Sequence, residues 1–463
     1  MKVLAILAGK LALILTRVFK AGGGTTLPGL LAERIDPNIT KKLASRIKSG
    51  VVVVTGTNGK TTTAKMLSDI LSEEGYRVLN NSSGSNLSRG IASALIRSSN
   101  LFGTHLWADI AVIEVDEATM PEVTTKLRPT LVLVTNLFRD QLDRYGELDK
   151  TAALIGKSLK GFPKMTTILN ADDPLVSSLS EYLEKEAGYY GIVDASIQTK
   201  SKAAMDSKDC VFCGHELTYG ARYFGHLGIW SCENCKKIRP QPQVTASNIK
   251  ISPFSSDFSL NLGDEKLAVN LSIPGLYNVY NALAAASAAV SLGVGAPAIS
   301  HALRYCEAAF GRMELLMVNN RKIMTLLIKN PTGANQALAT IFSDGLDKKI
   351  AFVLNDNFAD GTDISWIWDV DFEYFKLSKS LFVASGIRSE EVALRLKYAG
   401  VAIENIIQEK DPVKAVEQLA EKLESDEIGY LIPTYTAMME IRGHFASSTD
   451  ELCNLGKATK HGL

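Results

Sequence analysis

The run at residues 51–63, VVVVTGTNGKTTT, constrains this chain more than any other segment. Four valines in succession read as a strand buried on both faces, as in a parallel sheet. A glycine-rich turn follows, and residues 61–74 have helical spacing, with Leu67, Ile70 and Leu71 on one face. Strand, glycine loop, Lys-Thr and helix are the parts of a phosphate cradle. Backbone N–H groups at the loop and helix N-terminus face the anion, Lys60 adds a point charge, and the Thr61 hydroxyl is a ligand for Mg²⁺. The loop runs Gly56, Thr57, Asn58, Gly59, Lys60, Thr61, Thr62, two positions shorter than the common G-x-x-x-x-G-K-[ST]. A strand–turn–helix with a chance Gly-Lys is the alternative, and the agreement of element order with chemistry disfavours it. The expected ligand is ATP, with another nucleotide as second choice.

At 463 residues, 46% apolar and 22% charged, the chain has room for two or three cores of an ordinary globular kind. A net charge of zero removes the electrostatic case for nucleic acid or an anionic membrane as partner. Residues 1–19, MKVLAILAGKLALILTRVF, are broken by Lys10 and Arg17 and lack a small-residue cleavage site. They read as neither a secretory signal nor a complete span. They form either an amphipathic helix lying against a membrane or, as the preferred reading, a helix packed on the protein itself. The expected location is the cytoplasm, with peripheral contact at the inner membrane face left open.

Strand-like runs at 51–54, 78–80, 110–115, 130–135 and 166–169 alternate with helical stretches. That alternation predicts an α/β, doubly wound sheet with ligands at the strand C-termini. A cysteine-rich insert interrupts at 200–245, and residues 246–300 are read as rejoining the alternation, with an alanine-rich helix at 281–290. A second α/β unit starts near Ala309, with strands at 349–354, 381–385 and 429–432 and helices at 389–399 and 412–423. The expected domains are a helical segment at 1–37, an ATP-binding domain at 38–308 with its insert at about 205–240, and a Rossmann-like C-terminal α/β domain at 309–463.

Glu114 ends the strand at 110–115 and faces the phosphate loop in this scheme, as a carboxylate for the same Mg²⁺. Asn136 and Asp140 in TNLFRDQLDRYGE, and NADDP at 170–174, also follow strand ends. They reach ligand or, as spacing alone favours, cap helices. Cys210, Cys213, Cys232 and Cys235 form two C-x-x-C knuckles eighteen residues apart. That is zinc-ribbon spacing, and four thiolates leave no open position, so the role is structural. Cys306 and Cys453 stand alone, and the usage fits a reducing compartment. Residues 355–373, NDNFADGTDISWIWDVDFE, set Trp366 and Trp368 among carboxylates. They read as a partner surface or equally as a loop with its tryptophans packed inward.

In chain order, TGTNGKTT (55–62), IEVDE (113–117), TNLFRDQLDRYG (135–146), NADDP (170–174), PGLYNVYNALAA (274–285) and GRME (311–314) resemble the motifs of the Mur ligase family. These are ATP-dependent enzymes that form amide bonds on carboxylates. The resemblance covers roughly residues 38–315. It implies that Lys60 and Thr61 bind phosphate and Mg²⁺, that Glu114 is the Mg²⁺ carboxylate, and that Asn278 and Arg312 contact the nucleotide. Three departures stand out. Gln141 replaces a usual histidine, no lysine matches the carbamylated one, and LLIKNPTG (326–333) replaces the segment that handles the incoming amino acid.

LNDNFADGTDISWIWDVDFE (354–373), the KNPTG segment, the cysteine ribbon and IPTYTAM (432–438) further resemble the MurT family. Its members are the ligase-like subunits of lipid II isoglutaminyl synthases. This resemblance implies amidation of the α-carboxylate of D-glutamate in the lipid II stem peptide, through an acyl phosphate, giving D-isoglutamine. The ammonia would come from a glutaminase subunit, GatD, whose Cys–His pair Asp363 completes as a triad. The competing readings are a conventional Mur or folylpolyglutamate-type amino-acid ligase and a non-catalytic nucleotide-binding scaffold.

Overall fold

The computed structural model describes residues 1–18, 26–81, 86–139, 148–198, 206–306, 312–376 and 378–445, without the side chains of Arg17, Val18 and Arg312. The first sheet is built on β1 (Val51–Thr55), all five residues of which are buried. It pairs in parallel with β3 (Ile110–Glu114) on one side and β4 (Leu131–Val134) on the other. The remaining strands are β2 (Val78–Asn80), β5 (Thr166–Asn170), β6 (Gly188–Ile192), β9 (Val244–Ile251), β10 (Ser256–Leu262) and β11 (Glu265–Leu271). Among the described residues the order is β2-β3-β1-β4-β5-β6-β9-β10-β11. The chain leaves β1 for β2 and β3 on one side and returns to β4 on the other. The loop after β1 therefore sits at a topological switch point, where open α/β sheets bind ligands.

Successive valines of β1 face opposite cores. Val52 and Val54 pack with Leu67 and Ile70 of helix Lys60–Glu73 and with the alanines of helix Leu276–Ser291. Val51 and Val53 pack with Ile91 and Leu95 of helix Ser88–Ser98. The expected alternation at 246–300 is not what forms. β9, β10 and β11 are an antiparallel meander that extends the sheet. β10 alternates buried and partly exposed residues along its first half, the pattern of a strand covered on one face only. The alanine-rich helix begins at Leu276, five residues before the expected start, directly after Gly275 in a positive-φ conformation.

The cysteine insert folds as a hairpin, β7 (Thr218–Phe224) with β8 (Leu227–Ser231). The second sheet comprises β12 (Arg312–Val318), β13 (Arg321–Leu326), β14 (Lys349–Val353), β15 (Leu381–Ser385), β16 (Ile406–Glu409) and β17 (Ile428–Pro433), ordered β12-β13-β17-β14-β15-β16. β12 and β13 form a hairpin whose turn, Asn319-Asn320, has positive φ at both residues, the geometry that suits a two-residue connection. β14 lies between β17 and β15, so the segment after it, holding Asp363, leaves from a second switch point.

Helix Lys2–Val18 packs on helix Leu27–Ile35. Ala5, Ile6 and Ala12 are buried, so the self-packed reading holds for one face of the first helix. Its other face exposes Val3, Leu4, Leu7, Leu11, Ile14 and Leu15. No helix among the described residues is long and apolar enough to cross a membrane.

Candidate active site

The loop after β1 turns on two glycines with φ of 122° at Gly56 and 82° at Gly59. A Cβ on Gly56 would lie 2.3 Å from Thr135 Oγ1, and one on Gly59 would lie 2.0 Å from Asn281 Oδ1. Side chains are thus excluded twice over, by backbone conformation and by space. The segment after β4 holds the loop from behind. Asn136 Oδ1 accepts from Asn58 N–H at 2.9 Å, its Nδ2 donates to Asn58 O at 3.1 Å, and Thr135 Oγ1 donates to the same oxygen at 2.8 Å. Thr57 Oγ1 accepts from Phe138 N–H at 3.1 Å. Asn136 therefore positions the loop.

Lys60 opens the helix and is buried. Its Nζ donates to Gly56 O at 2.5 Å and to Glu117 Oε2 at 3.1 Å. Thr61 Oγ1 donates to Glu114 Oε2 at 2.8 Å. Glu114 is itself fixed by a two-way backbone bond with Asn81, its N–H on Asn81 Oδ1 and its O on Asn81 Nδ2, both 2.8 Å. A hydroxyl and a carboxylate this close, at a helix N-terminus beside a lysine, are donors that would suit a hard divalent cation. Thr62 is buried in the first helical turn.

Asn278 does not reach the loop. It donates to Pro274 O at 2.7 Å and accepts from Asn281 Nδ2 at 3.0 Å, and it is Asn281 that touches Gly59 and Thr63. Arg312 starts β12, and its side chain lies outside the described residues, as do Asp140, Gln141 and Cys453. Asp173 caps helix Pro174–Ser178 and also accepts from Leu137 N–H at 2.8 Å. Capping is thus the reading that fits NADDP. Asp172 is fully buried, bonded to Arg239 Nε at 2.6 Å and Tyr280 Oη at 2.6 Å, and burial pushes its carboxyl above the usual range.

The second sheet meets this loop through KNPTG. Asn330 caps helix Pro331–Ile341 through Gly333 N–H at 2.8 Å and donates from Nδ2 to Asn58 Oδ1 at 3.2 Å. A slot of about 100 Å³ lies between the sheets beside Asn58 and Gly59, walled by Phe138, Phe224, Tyr277 and Ile328. It adjoins a cleft of about 590 Å³, and Phe224, Thr332 and Gln336 line both. Arg139 spans the cleft, ion-paired with Asp369 of the second sheet's domain and 3.7 Å from Asp206.

Asp363 is exposed on the segment after β14. Its Oδ1 accepts from Ser365 N–H at 2.9 Å, and the Ser365 hydroxyl and backbone hold its carboxyl below the usual range. The flanking chain is locked to the segment after β17. Asn355 N–H donates to Thr434 Oγ1 at 3.0 Å, Asn357 Nδ2 donates to Thr436 Oγ1 at 2.8 Å, and Asp360 accepts from Thr436 N–H at 2.7 Å. The tryptophans divide. Trp366 packs partly buried on the core, whereas Trp368 is half-exposed against Tyr398, with Arg395 over its ring.

The four cysteines converge. Cys210 and Cys235 sulfurs are 3.6 Å apart, Cys213 and Cys232 3.5 Å, and all four lie within 4.8 Å of one another. A zinc tetrathiolate with ~2.3 Å bonds has S–S edges of about 3.8 Å, so the cluster fits that ion. Burial pushes Cys210 up to about 12, while Cys213 is drawn down to about 5 by the His215 backbone N–H.

Residues 54–225 match the Mur ligase middle domain and residues 327–438 match the MurT ligase C-terminal domain. The chain is 35% identical over 418 residues to subunit MurT of the lipid II isoglutaminyl synthase (glutamine-hydrolyzing) of Staphylococcus aureus, covering 90% of this chain and 91% of that protein. It is 34% identical over 451 residues to the Streptococcus pneumoniae subunit of the same name, covering 96% and 97%. The chain belongs to the MurT family. The fold is that of Mur ligases at large. A pseudomurein peptide ligase type C from Methanothermus fervidus matches with a TM-score of 0.67 at 24% identity over 88% of this chain and 80% of that one. MurF of Thermotoga maritima, solved with ADP, matches with a TM-score of 0.63 at 13% identity over 91% and 84%.

Within this MurT-family chain, several contributors were not singled out from sequence. Glu117 as the ion-pair partner of Lys60, Asn281 against Gly59, and Asn330 on Asn58 lie 57 or more residues from what they touch, and only folding unites them. The ribbon yields a direct check. Native mass spectrometry is expected to find one zinc per chain, and chelation is expected to shift the fluorescence of Trp230, which is buried beside Cys210 and Cys232. A chain carrying no metal would contradict the assignment.

Proposed function

We propose that the chain is the ATP-dependent half of a lipid II isoglutaminyl synthase. The observation that carries the reading is the convergence of Lys60, Thr61 and Glu114 at the β1 switch point in a chain of this family. ATP phosphates occupy the loop Gly56–Thr62, with Thr61 and Glu114 as the Mg²⁺ ligands and Lys60, held by Glu117, supplying fixed positive charge. Thr61 and Glu114 would hold Mg²⁺, which would supply neutralisation of phosphate charge. The chain's own work is positioning and exclusion of water. An oxygen of the D-glutamate α-carboxylate attacks the γ-phosphorus and ADP leaves. Ammonia then attacks the acyl carbon of the acyl phosphate, the C–O bond breaks, phosphate departs, and a proton is lost to give the amide. Asn278 and Arg312 are assigned to the nucleotide side of the site, Asn278 acting through Asn281.

The ammonia source is a separate glutaminase subunit, GatD. Asp363 suits a part in its triad: it is exposed, held ionised by Ser365, and set on a segment braced by Thr434 and Thr436. A carboxylate in that state fixes the tautomer and orientation of a histidine that activates a thiol. The KNPTG segment bonds to the phosphate loop through Asn330, a use that disfavours the amino-acid-ligase alternative.

A lipid-linked substrate brings the chain to the inner membrane face, and the first helix suits that contact. Its six exposed apolar residues fall within an arc of about 120°. The first acidic residue of the sequence is Glu33, preceded by Lys2, Lys10, Arg17 and Lys20. The zero net charge averages over this local basic character, which suits anionic lipid.

Three measurements test these assignments. Lys60→Ala is expected to lower ATP turnover by about 10²-fold or more while the partner still co-purifies. Asp363→Asn is expected to suppress amidation from glutamine and to spare amidation from free ammonia. Wild-type behaviour of Asp363→Asn with glutamine would end the triad reading. In co-sedimentation with phosphatidylglycerol vesicles, the wild type is expected in the pellet and Leu7→Glu/Leu11→Glu in the supernatant. Equal sedimentation of the two would end the membrane reading.

A further inference from the structure

The hairpin β7–β8 carries the cysteine cluster at one end, and its other end is driven into the nucleotide side of the central domain. Along its length it is stitched to the segment after β5. Trp230 Nε1 donates to Ala171 O at 3.0 Å and Gly228 N–H donates to Asp172 O at 2.9 Å. The tip is Phe224, Gly225 and His226. Phe224 is 6% exposed, stacks on Phe138 with ring centroids 5.8 Å apart and planes 18° apart, and meets the edge of Tyr280 at 5.6 Å. It faces the slot beside Asn58 and Gly59. A Cβ on Gly225 would lie 2.7 Å from Phe138 Cε1, so only glycine allows the turn so close. His226 is wholly buried, its ring 4.6 Å from Phe138 and its Nε2 3.4 Å from Asp173 Oδ1, and neither ring nitrogen makes a hydrogen bond. Asp173 is the residue that receives Leu137 N–H, so His226 backs the loop at 135–139 that holds Asn58.

From this geometry we infer that the metal-pinned hairpin is a wall of the nucleotide pocket, with Phe224 contacting the purine base and His226 positioning the loop behind it. The inference rests on the ATP reading. Phosphates on Gly56–Thr62 leave a base within reach of an apolar, aromatic-walled slot next to Asn58 and Gly59. A planar base has a π-face that such side chains stack on without regard to sequence of hydrogen-bond donors. The ribbon then has a ligand-binding consequence. Loss of the tetrathiolate frees the base of the hairpin, and Phe224 loses its fixed place.

The test uses the full chain and two ligands, ADP and tripolyphosphate, with binding read by calorimetry. Phe224→Ala is expected to raise the Kd for ADP by about tenfold and to leave that for tripolyphosphate unchanged, because only ADP has a base. Phe224→Leu, which keeps bulk and removes the ring, is expected to weaken ADP in the same direction. Wild type stripped of metal by a chelator is expected to follow Phe224→Ala. Unchanged ADP affinity in Phe224→Ala overturns the inference and leaves the ATP reading intact. Equal loss of both ligands also overturns it, since the base would not be what Phe224 senses. A wild type that binds tripolyphosphate and not ADP overturns the inference and the ATP reading together.

Discussion

The left-handed turn at Gly59, pressed against Asn281, is the constraint on which the rest of the site depends. Helix Leu276–Ser291 packs on helix Lys60–Glu73, and six of its twelve buried residues are alanine, small enough for a close approach. That approach leaves no room for a Cβ at Gly59 and sets Asn281 Oδ1 where one would stand. The loop cannot relax outward either, since Asn136 and Thr135 grip Asn58 from the neighbouring strand. Lys60 and Thr61 are consequently delivered, already oriented, to Glu117 and Glu114 at the end of β3. Preorganisation of this kind removes the reorganisation cost at the moment of phosphoryl transfer.

Each sheet presents a loop at a switch point. The one after β1 carries Lys60 and Thr61, and the one after β14 presents Asp363 at the surface. Between them, among the described residues, Asn330 bonds Asn58 and Arg139 pairs with Asp369 across the domains. Asp369 closes the short helical turn that begins two residues after Asp363, so the surface that presents Asp363 is tied to the loop that carries Asn136.

Much of this was legible in the sequence where chemistry is local. VVVVTGTNGKTTT encodes its own strand, turn and helix, and the four cysteines declare their cluster by spacing alone. Strand ends at 78–80 and 381–385 coincide with the observed ones, each an apolar run that closes on a polar residue, Asn80 and Ser385. The meander at 244–271 carries an alternating pattern between the cysteine insert and the alanine-rich helix, and the α/β rhythm of the preceding strands absorbs it. Asn281, Glu117, Phe224 and His226 carried no local signature. Their roles arise from contacts between segments remote in sequence, and a buried histidine or phenylalanine reads as core until the fold shows what it faces.

The central claim is that this chain activates a carboxylate by phosphorylating it. The most direct measurement places oxygen-18 in the α-carboxylate of the D-glutamate residue of the lipid-linked substrate. It then follows the label after amidation by the complex with ATP and glutamine. Activation through an acyl phosphate transfers one carboxylate oxygen to each inorganic phosphate released, so the phosphate should carry the label. Amide product accompanied by phosphate free of oxygen-18 would contradict the account.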